Sequence, residues 1–278
     1  MDFTTILSLL AGIALIVFGI SFNGTGFDLN KLSHFYDLAS IAITFGGTIM
    51  ATIMSFPFSI IKTVPKQIVI AFRRKKHDPV KYIDLLVEFA QEARRKGILA
   101  LEDRAMQQED RFLRDSVMLI VDAIEPEKAK EILENELDCL EERHARARLV
   151  FDRAAAFAPA FGMIGTLIGL INMLRGSDIT VEGGAQQMVA GMAVALITTF
   201  YGSIFANLVL TPISNKLRTR HEEEMLCKEI IVEGVLAIGA GDNPRHIEER
   251  LYAFLKSSER EKLSNSKNQE AAPARGRR

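Results

Sequence analysis

Thr166, Thr198 and Thr199 lie well inside two long uncharged stretches of the sequence. A hydroxyl in such a stretch either bonds a backbone carbonyl one helical turn earlier or offers its oxygen to a cation that has shed water. Sodium needs oxygen ligands of this kind, whereas a proton does not. The pattern therefore predicts these three hydroxyls as an ion pathway, with local backbone bonding as the alternative.

The same stretches carry no Asp, Glu, Lys, Arg or His in their central parts. Asp37 stands near the end of one stretch, and Asp152 and Arg153 stand at the edge of another. Ion pathways in membranes usually need an ionisable group at depth, most often a carboxylate. If this chain takes part in ion transport, we expect the working carboxylate to come from a helix of another chain.

Four uncharged stretches are long enough to cross a membrane, because about 20 helical residues span its hydrocarbon core. They cover residues 3–27, 38–61, 154–174 and 183–215. The first has no positive charge before it and no clear cleavage site, so we interpret it as a retained helix and not as a signal peptide. The predicted fold class is an all-α integral membrane protein with four transmembrane helices and a helical cytoplasmic domain.

Lysine and arginine concentrate in two segments of the chain. Residues 62–153 and 216–278 hold all but two of the 34 Lys and Arg, and the short loops around Lys31 and Arg175 hold one each. Positive charge marks the cytoplasmic side, so we expect a multi-pass membrane protein with both termini in the cytoplasm. The predicted segments are two membrane helices (1–61), a cytoplasmic helical domain (62–150), two membrane helices (151–215), C-terminal cytoplasmic helices (216–256) and a disordered tail (257–278).

Local signals outside the membrane stretches indicate helices throughout. Pro79 opens one helix, and Gly97 ends it. Pro126 opens another, which is expected to run unbroken into the third membrane stretch, and Pro244 opens a short helix near the C-terminus.

Small residues recur at about four-residue spacing on the third and fourth membrane stretches. Such a stripe permits close approach of two helix backbones in lipid. Two uses fit equally well: packing of the two stretches against each other, or packing against a helix of a separate chain. The residues are Gly162, Gly165, Gly169, Gly191, Ala195 and Gly202.

Several functional classes are disfavoured. The net charge of −1 gives no electrostatic support for nucleic-acid binding. The sequence has no phosphate-binding loop, zinc-protease helix or nucleophile elbow, so we expect neither an enzyme nor a cofactor. Two cysteines, Cys139 and Cys227, cannot build a disulfide framework and are interpreted as reduced packing residues.

Two membrane stretches carry a family resemblance. PAFGMIGTLIGLINML (159–174) and GMAVALITTFYGSIFANLVLTPISNKL (191–217) closely resemble the MotA/PomA stator subunits of the bacterial flagellar motor, within the MotA/TolQ/ExbB superfamily. RRKGILALED (94–103) matches the charged motif of that family, and the resemblance extends to about residue 256. It implies a ring of five copies around two MotB/PomB-type subunits, each bringing one membrane helix with an aspartate. Ion flow then turns the ring against the rotor protein FliG.

The resemblance also implies roles for charged residues. Arg94 and Glu102 match the family's rotor-contacting arginine and glutamate, with Arg95 and Asp103 as neighbours. The alternative is an ordinary solvated helix face, because exposed charge runs are usually no more than that.

Two prolines match family prolines near the cytoplasmic ends of the third and fourth spans: Pro159 and Pro212. Because proline bends a helix, both are expected to form the hinge that transmits ion binding to the cytoplasmic domain. A plain helix stop is the alternative for Pro212.

The threonines indicate which ion the chain is expected to transport. Thr166, Thr198 and Thr199 match hydroxyl positions of the sodium-driven PomA type, so sodium is favoured over the proton. Competing hypotheses are an ExbB/TolQ-type proton channel subunit, which has three spans, and a membrane scaffold without ion flow.

Overall fold

The computed structural model describes residues 3–22, 26–73, 78–175, 184–261 and 263 of the chain. Within these residues it is helical, and the only strand-like feature is a single bridge between Phe22 and Phe27. The predicted all-α class is confirmed. Two compact units divide the chain. We call Met1–Lys75 with Arg143–Arg220 the membrane unit, and Lys76–Glu142 with His221–Arg278 the polar unit.

The membrane unit begins with α1 (Phe3–Ser21) and α2 (Leu38–Ser55). The carboxylate of Asp37 starts α2 by accepting a hydrogen bond from the Ser40 amide at 2.7 Å. One π-helical turn, Ala42–Gly46, interrupts the α-helical hydrogen bonding of α2.

The helix α2 ends at Ser55, inside the uncharged stretch 38–61. Pro57 follows, and it holds Phe56 in the extended conformation (φ −133°, ψ 146°) because the proline ring disfavours a helical residue before it. Two short helices, α3 (Phe58–Ile61) and α4 (Val64–Phe72), occupy the following segment.

The polar unit continues with α5 (Pro79–Lys96), α6 (Leu101–Met106) and α7 (Arg111–Val121). As predicted, α5 starts at Pro79. It ends where Gly97 takes a positive φ of 87°, a conformation that favours glycine.

Two long helices pass from one unit to the other along the chain. The first, α8 (Pro126–Arg175), runs unbroken from its opening proline, as predicted. The second, α9 (Gly184–Gly239), contains a π-helical turn at Phe205–Leu210. A short helix, α10 (Pro244–Tyr252), completes the polar unit.

Three of the described helices are long and apolar enough to cross a membrane: α2, α8 and α9. The first predicted span forms α1, which ends at Ser21, inside the uncharged stretch 3–27. The count of four spans therefore stays a prediction.

The core of the polar unit joins α5, α7, α10 and the C-terminal part of α9. Its fully buried side chains are Ile83, Leu86, Phe89, Leu113, Val117, Ile230, Val235 and Leu251. Burial also raises the pKa of the Cys227 thiol to about 12, so this cysteine stays protonated and unreactive at neutral pH.

The C-terminal segment differs in part from its prediction. Residues 257–261, which were expected to begin a disordered tail, are helical. The Arg260 guanidinium donates hydrogen bonds to the carbonyls of Leu255 (2.9 Å) and Ala253 (2.5 Å), which holds this turn in place. Apart from Leu263, the rest of the predicted tail lies outside the described residues, as do residues 176–183 of the second predicted loop.

Asp110 lies at the start of α7, at the edge of the core of the polar unit. Its carboxylate accepts hydrogen bonds from the Tyr82 hydroxyl at 2.6 Å and from the amides of Phe112 (2.9 Å) and Leu113 (3.4 Å) at the start of α7. Burial by itself raises the pKa of Asp110. The Tyr82 hydrogen bond, the Lys228 ammonium and the two amides outweigh burial and hold this pKa below its ordinary value.

Replacing Asp110 by alanine is expected to destabilise the polar unit by about 1–2 kcal/mol, because α7 loses its N-cap. Since folding lowers the Asp110 pKa, its contribution is present above the carboxyl's ordinary pKa and declines as pH falls through the folded-state pKa. Hydrogen exchange of the α7 amides in the full-length protein measures the effect. Asp110→Asn, which keeps a capping oxygen, is the matched control and should lose less protection. Equal exchange in all three proteins would contradict the assignment.

Candidate functional site

The small-residue stripe brings α8 and α9 of the same chain into backbone contact. A Cβ atom on Gly169 would lie 2.5 Å from the Gly191 carbonyl oxygen and 2.6 Å from the Ala195 nitrogen. A Cβ atom on Gly191 would lie 2.7 Å from the Gly169 oxygen, and one on Gly202 would lie 2.6 Å from the Ala158 oxygen. These distances leave no space for a side chain at the three glycines.

The other small residues of the stripe also pack between α8 and α9. A Cβ on Gly162 would meet the Thr198 carbonyl oxygen at 3.0 Å, and one on Gly165 would meet the Thr198 side chain at 2.4 Å. Ala195 is buried between the same helices. The structure therefore corrects the expectation of a contact with a partner helix. The chain's own helices fill this face, which is the simpler of the two uses that the sequence left open.

Two of the three candidate hydroxyls form a pair between α8 and α9. The Thr166 and Thr199 Oγ1 atoms lie 2.6 Å apart. Thr166 also lies 3.0 Å from the Ala195 carbonyl oxygen and 3.1 Å from that of Gly162, and Thr199 lies 3.3 Å from the Ala195 oxygen. Thr199 is exposed and Thr166 is half-buried. Four oxygens thus meet on an accessible face of the membrane unit.

Thr198 does not join this pair on the accessible face. Its side chain is fully buried against Gly165, and its hydroxyl donates to the Val194 and Ala195 carbonyls at 2.8 and 3.1 Å. Its own carbonyl accepts a hydrogen bond from Thr44 of α2 at 3.4 Å. The geometry gives Thr198 a packing role.

Both acidic side chains at the edges of the spans already have structural partners. Besides capping α2, Asp37 accepts a hydrogen bond from the Ser40 hydroxyl at 2.5 Å. Asp152 accepts one from the Ser214 hydroxyl at 2.5 Å, which links α8 to α9. Neither carboxylate is in hydrogen-bond contact with Thr166 or Thr199.

Pro159 and Pro212 both lie inside continuous helices. The Pro159 Cα atom would lie 3.3 Å from a Cβ on Gly202, so α9 packs closely at this proline. Pro212 follows the π-helical turn Phe205–Leu210, whose altered hydrogen bonding accommodates a residue without an amide donor. The helix continues to Gly239, so the helix-stop alternative for Pro212 is wrong.

The four charged residues of the predicted rotor contact, Arg94, Arg95, Glu102 and Asp103, are exposed near the junction of α5 and α6. In the part of the chain that the structure describes, none of them forms an ion pair or side-chain hydrogen bond.

Their neighbours form a linked ion-pair network instead. Arg104 pairs with Glu88 at 3.0 Å and with Glu92 at 3.4 Å, and Lys96 pairs with Glu92 at 2.9 Å. The hydrogen bond from Lys96 lowers the pKa of Glu92, so this carboxylate stays ionised. The network joins α6 to α5 and leaves the four candidate side chains available to another molecule.

Arg94 and Arg95 line a cleft of about 490 Å³ between α5 and the start of α10. Arg245 lines the opposite wall, next to Asn243 and Glu248. Sequence reasoning missed Arg245, because a separation of 151 residues gave no local signal that it joins this basic cleft.

Candidate metal-binding groups of three or more His, Cys, Asp or Glu are absent from the residues that the structure describes. The oxygens that the chain brings together at the candidate ion site are hydroxyl and carbonyl oxygens.

Long apolar helices joined to a charged helical unit define a helical integral membrane protein. A family model described as the MotA/TolQ/ExbB proton channel family matches residues 104–230. Motility protein A of Borreliella burgdorferi is 38% identical over 266 residues, covering 96% of this chain and 98% of that protein. Chemotaxis protein PomA of Vibrio alginolyticus is 35% identical, covering 94% and 98%. The flagellar MotAB stator complex from Bacillus subtilis contains a chain with a TM-score of 0.83 and 28% identity, covering 94% of this chain and 99% of that one.

The chain therefore belongs to the motility protein A (MotA/PomA) family of flagellar stator proteins. The predicted resemblance is confirmed. This family comprises ion-channel subunits of the inner membrane and is not a family of enzymes.

Proposed function

We propose that this chain is the ring-forming subunit of a sodium-driven flagellar stator and pairs with a MotB/PomB-type subunit. The pair of hydroxyls on Thr166 and Thr199 carries the proposal. Together with the Ala195 and Gly162 carbonyls it offers a partly accessible set of oxygens, as a dehydrated sodium ion requires. The partner helix supplies the carboxylate that the membrane stretches of this chain lack.

The MotAB complexes among the similar structures support an assembly with a second type of subunit. Five copies of this chain around two partner helices is the stoichiometry that the family resemblance implies. Both termini face the cytoplasm in this proposal. Lys and Arg concentrate in residues 62–153 and 216–278, and positive charge marks the cytoplasmic side of a membrane protein.

The polar unit contacts the rotor protein FliG through Arg94, Arg95, Glu102 and Asp103. Their exposure supports this role, as does their lack of ion pairs and side-chain hydrogen bonds to the residues that the structure describes. We add Arg245 to the set, since it shares the basic cleft with Arg94 and Arg95. Pro159 and Pro212 provide the bends through which ion binding changes the position of the polar unit.

Reversing the charge of Arg94 is expected to reduce swimming speed on the order of ten-fold, because like charges then meet at the rotor contact. Complex assembly should stay unchanged, since Arg94 has no partner in the described chain. Lys130→Glu, on an exposed face of α8 in the same unit, is the control and should leave swimming unaffected. Failure of Arg94→Glu to assemble would show a structural role instead.

The ion is tested by measuring swimming speed against external sodium at fixed pH in cells that carry this chain and its partner subunit. Speed should rise and saturate with sodium. A flat response would remove sodium and leave the proton as the coupling ion.

An ExbB/TolQ-type energiser is the second candidate, because the matched family model includes both groups. The full-length identity to motility proteins favours the stator. A scaffold without ion flow is the third, and it predicts that Pro159→Leu leaves motility intact.

A further inference from the structure

An unassigned cavity lies in the membrane unit where the start of α1 meets α4 and the middle of α9. It has a volume of about 220 Å³. One wall is apolar and contains Phe72, Leu208, Val209 and Ile213. None of these residues belongs to the candidate ion pathway or to the rotor contact.

The mouth of this cavity is polar. Thr5, Ser8 and Lys216 line it, and the same three residues line an adjoining cleft of about 460 Å³. The cleft adds Thr4, Asn215 and Thr219 and no large apolar side chain. An apolar recess therefore continues into one that is lined by hydroxyl, amide and ammonium groups, and the two together fall within the roughly 300–1,000 Å³ typical of ligand sites.

Lysine residues lie around the cavity, next to the ends of the apolar helices. Lys216 is half-buried at the mouth, and Lys62 and Lys66 are exposed on the chain segment that includes α4. Lys62 lies over the Phe58 ring at 4.8 Å, and Val69 is 60% exposed beside them. An amphipathic segment of this kind lies at a membrane surface, where basic pockets between helices bind anionic headgroups.

We propose that this cavity binds one anionic phospholipid, with part of an acyl chain against Phe72 and Leu208 and the headgroup phosphate at Lys216. The Thr5 and Ser8 hydroxyls line the same mouth and suit the polar headgroup. Because Leu208 and Val209 lie within the π-helical turn of α9, the lipid supports the helix where its regular hydrogen bonding is interrupted. The proposal rests on the membrane location and uses neither the ion-pathway threonines nor the rotor-contact residues, although Pro212 also lines both recesses.

The test uses the complex of this chain with its partner subunit, purified from vesicles of phosphatidylcholine and phosphatidylglycerol in equal amounts. Native mass spectrometry counts the phospholipids that each complex retains. We expect phosphatidylglycerol to be retained in preference to phosphatidylcholine. Lys216→Gln should weaken this retention about five-fold, the effect of one basic residue at an anionic surface. Lys216→Arg should preserve it, and Lys130→Gln, which removes an exposed charge on α8 in the polar unit, is the matched control.

A second pair of variants tests the cavity itself. Ser8→Phe places a ring in the mouth and should abolish retention, whereas Ser55→Phe adds the same ring at an exposed position of α2 away from the cavity. Hydrogen exchange at residues 205–213 should be slower in vesicles containing phosphatidylglycerol than in phosphatidylcholine alone.

Equal retention of both lipids, or equal retention by the Lys216→Gln and Lys130→Gln variants, would overturn the proposal. A photo-crosslinker at position 8 shows whether a lipid or a second copy of this chain occupies the cavity. A lipid adduct supports the site, and an adduct with a second copy of this chain shows that a neighbouring subunit fills the cavity instead.

Discussion

Replacing Gly169 by valine should prevent accumulation of the folded complex in the membrane. The first added carbon would already lie 2.5 Å from the Gly191 oxygen and 2.6 Å from the Ala195 nitrogen. Backbone atoms cannot rotate away as a side chain does, so α8 and α9 must separate. Overpacking typically costs about 1–3 kcal/mol, and we expect this variant at or above the upper limit, a large fraction of the stability of a typical protein.

Gly46→Val is the matched control for this prediction. Gly46 also lies in a membrane helix, but a Cβ there meets no atom within 4 Å. Quantitative blotting of membranes and the melting temperature of the purified complex measure both variants. Normal accumulation of Gly169→Val would show that the two helices do not pack as described.

Replacing Thr199 by valine should raise the sodium concentration needed for half-maximal swimming speed about ten-fold. Valine keeps the shape of threonine but removes one oxygen of the pair with Thr166, and a lost polar contact of this kind is worth roughly 1–1.5 kcal/mol. Thr199→Ser restores an oxygen and should recover most of the response. Tethered-cell rotation at fixed pH and varied sodium provides the measurement.

Thr198→Val controls for the loss of a hydroxyl in the same helix. Among the described residues, its hydroxyl bonds the Val194 and Ala195 carbonyls and no other group, so the variant should lose some stability and keep its sodium response. A shifted sodium response in Thr198→Val together with a normal one in Thr199→Val would reverse the roles assigned to the two residues.

The sequence predicts most helix starts because their signals are local. Pro79, Pro126 and Pro244 each begin a helix, and Gly97 ends one. The apolar stretches likewise predict α2, α8 and α9 as membrane helices, since length and composition determine which segments suit a bilayer.

The two threonines next to each other show what local pattern cannot predict. Adjacent helical residues point about 100° apart, so Thr198 and Thr199 meet different parts of α8. Thr198 is buried against Gly165, whereas Thr199 pairs with Thr166 and stays exposed, and this difference depends on contacts between residues that are distant in the sequence. The basic cleft has the same origin, because folding alone brings Arg245 to Arg94.

Because the glycine face is occupied within the chain, other molecules meet broader side chains on α8 and α9. Met163, Leu167, Met192 and Leu196 are each more than half exposed there. Close backbone contact at glycines holds a neighbouring helix in one register, whereas flexible Met and Leu side chains can adapt to several positions of a neighbouring helix. In the proposed complex, a partner helix could therefore change its position against these side chains without disturbing the glycine contacts that hold α8 and α9 together.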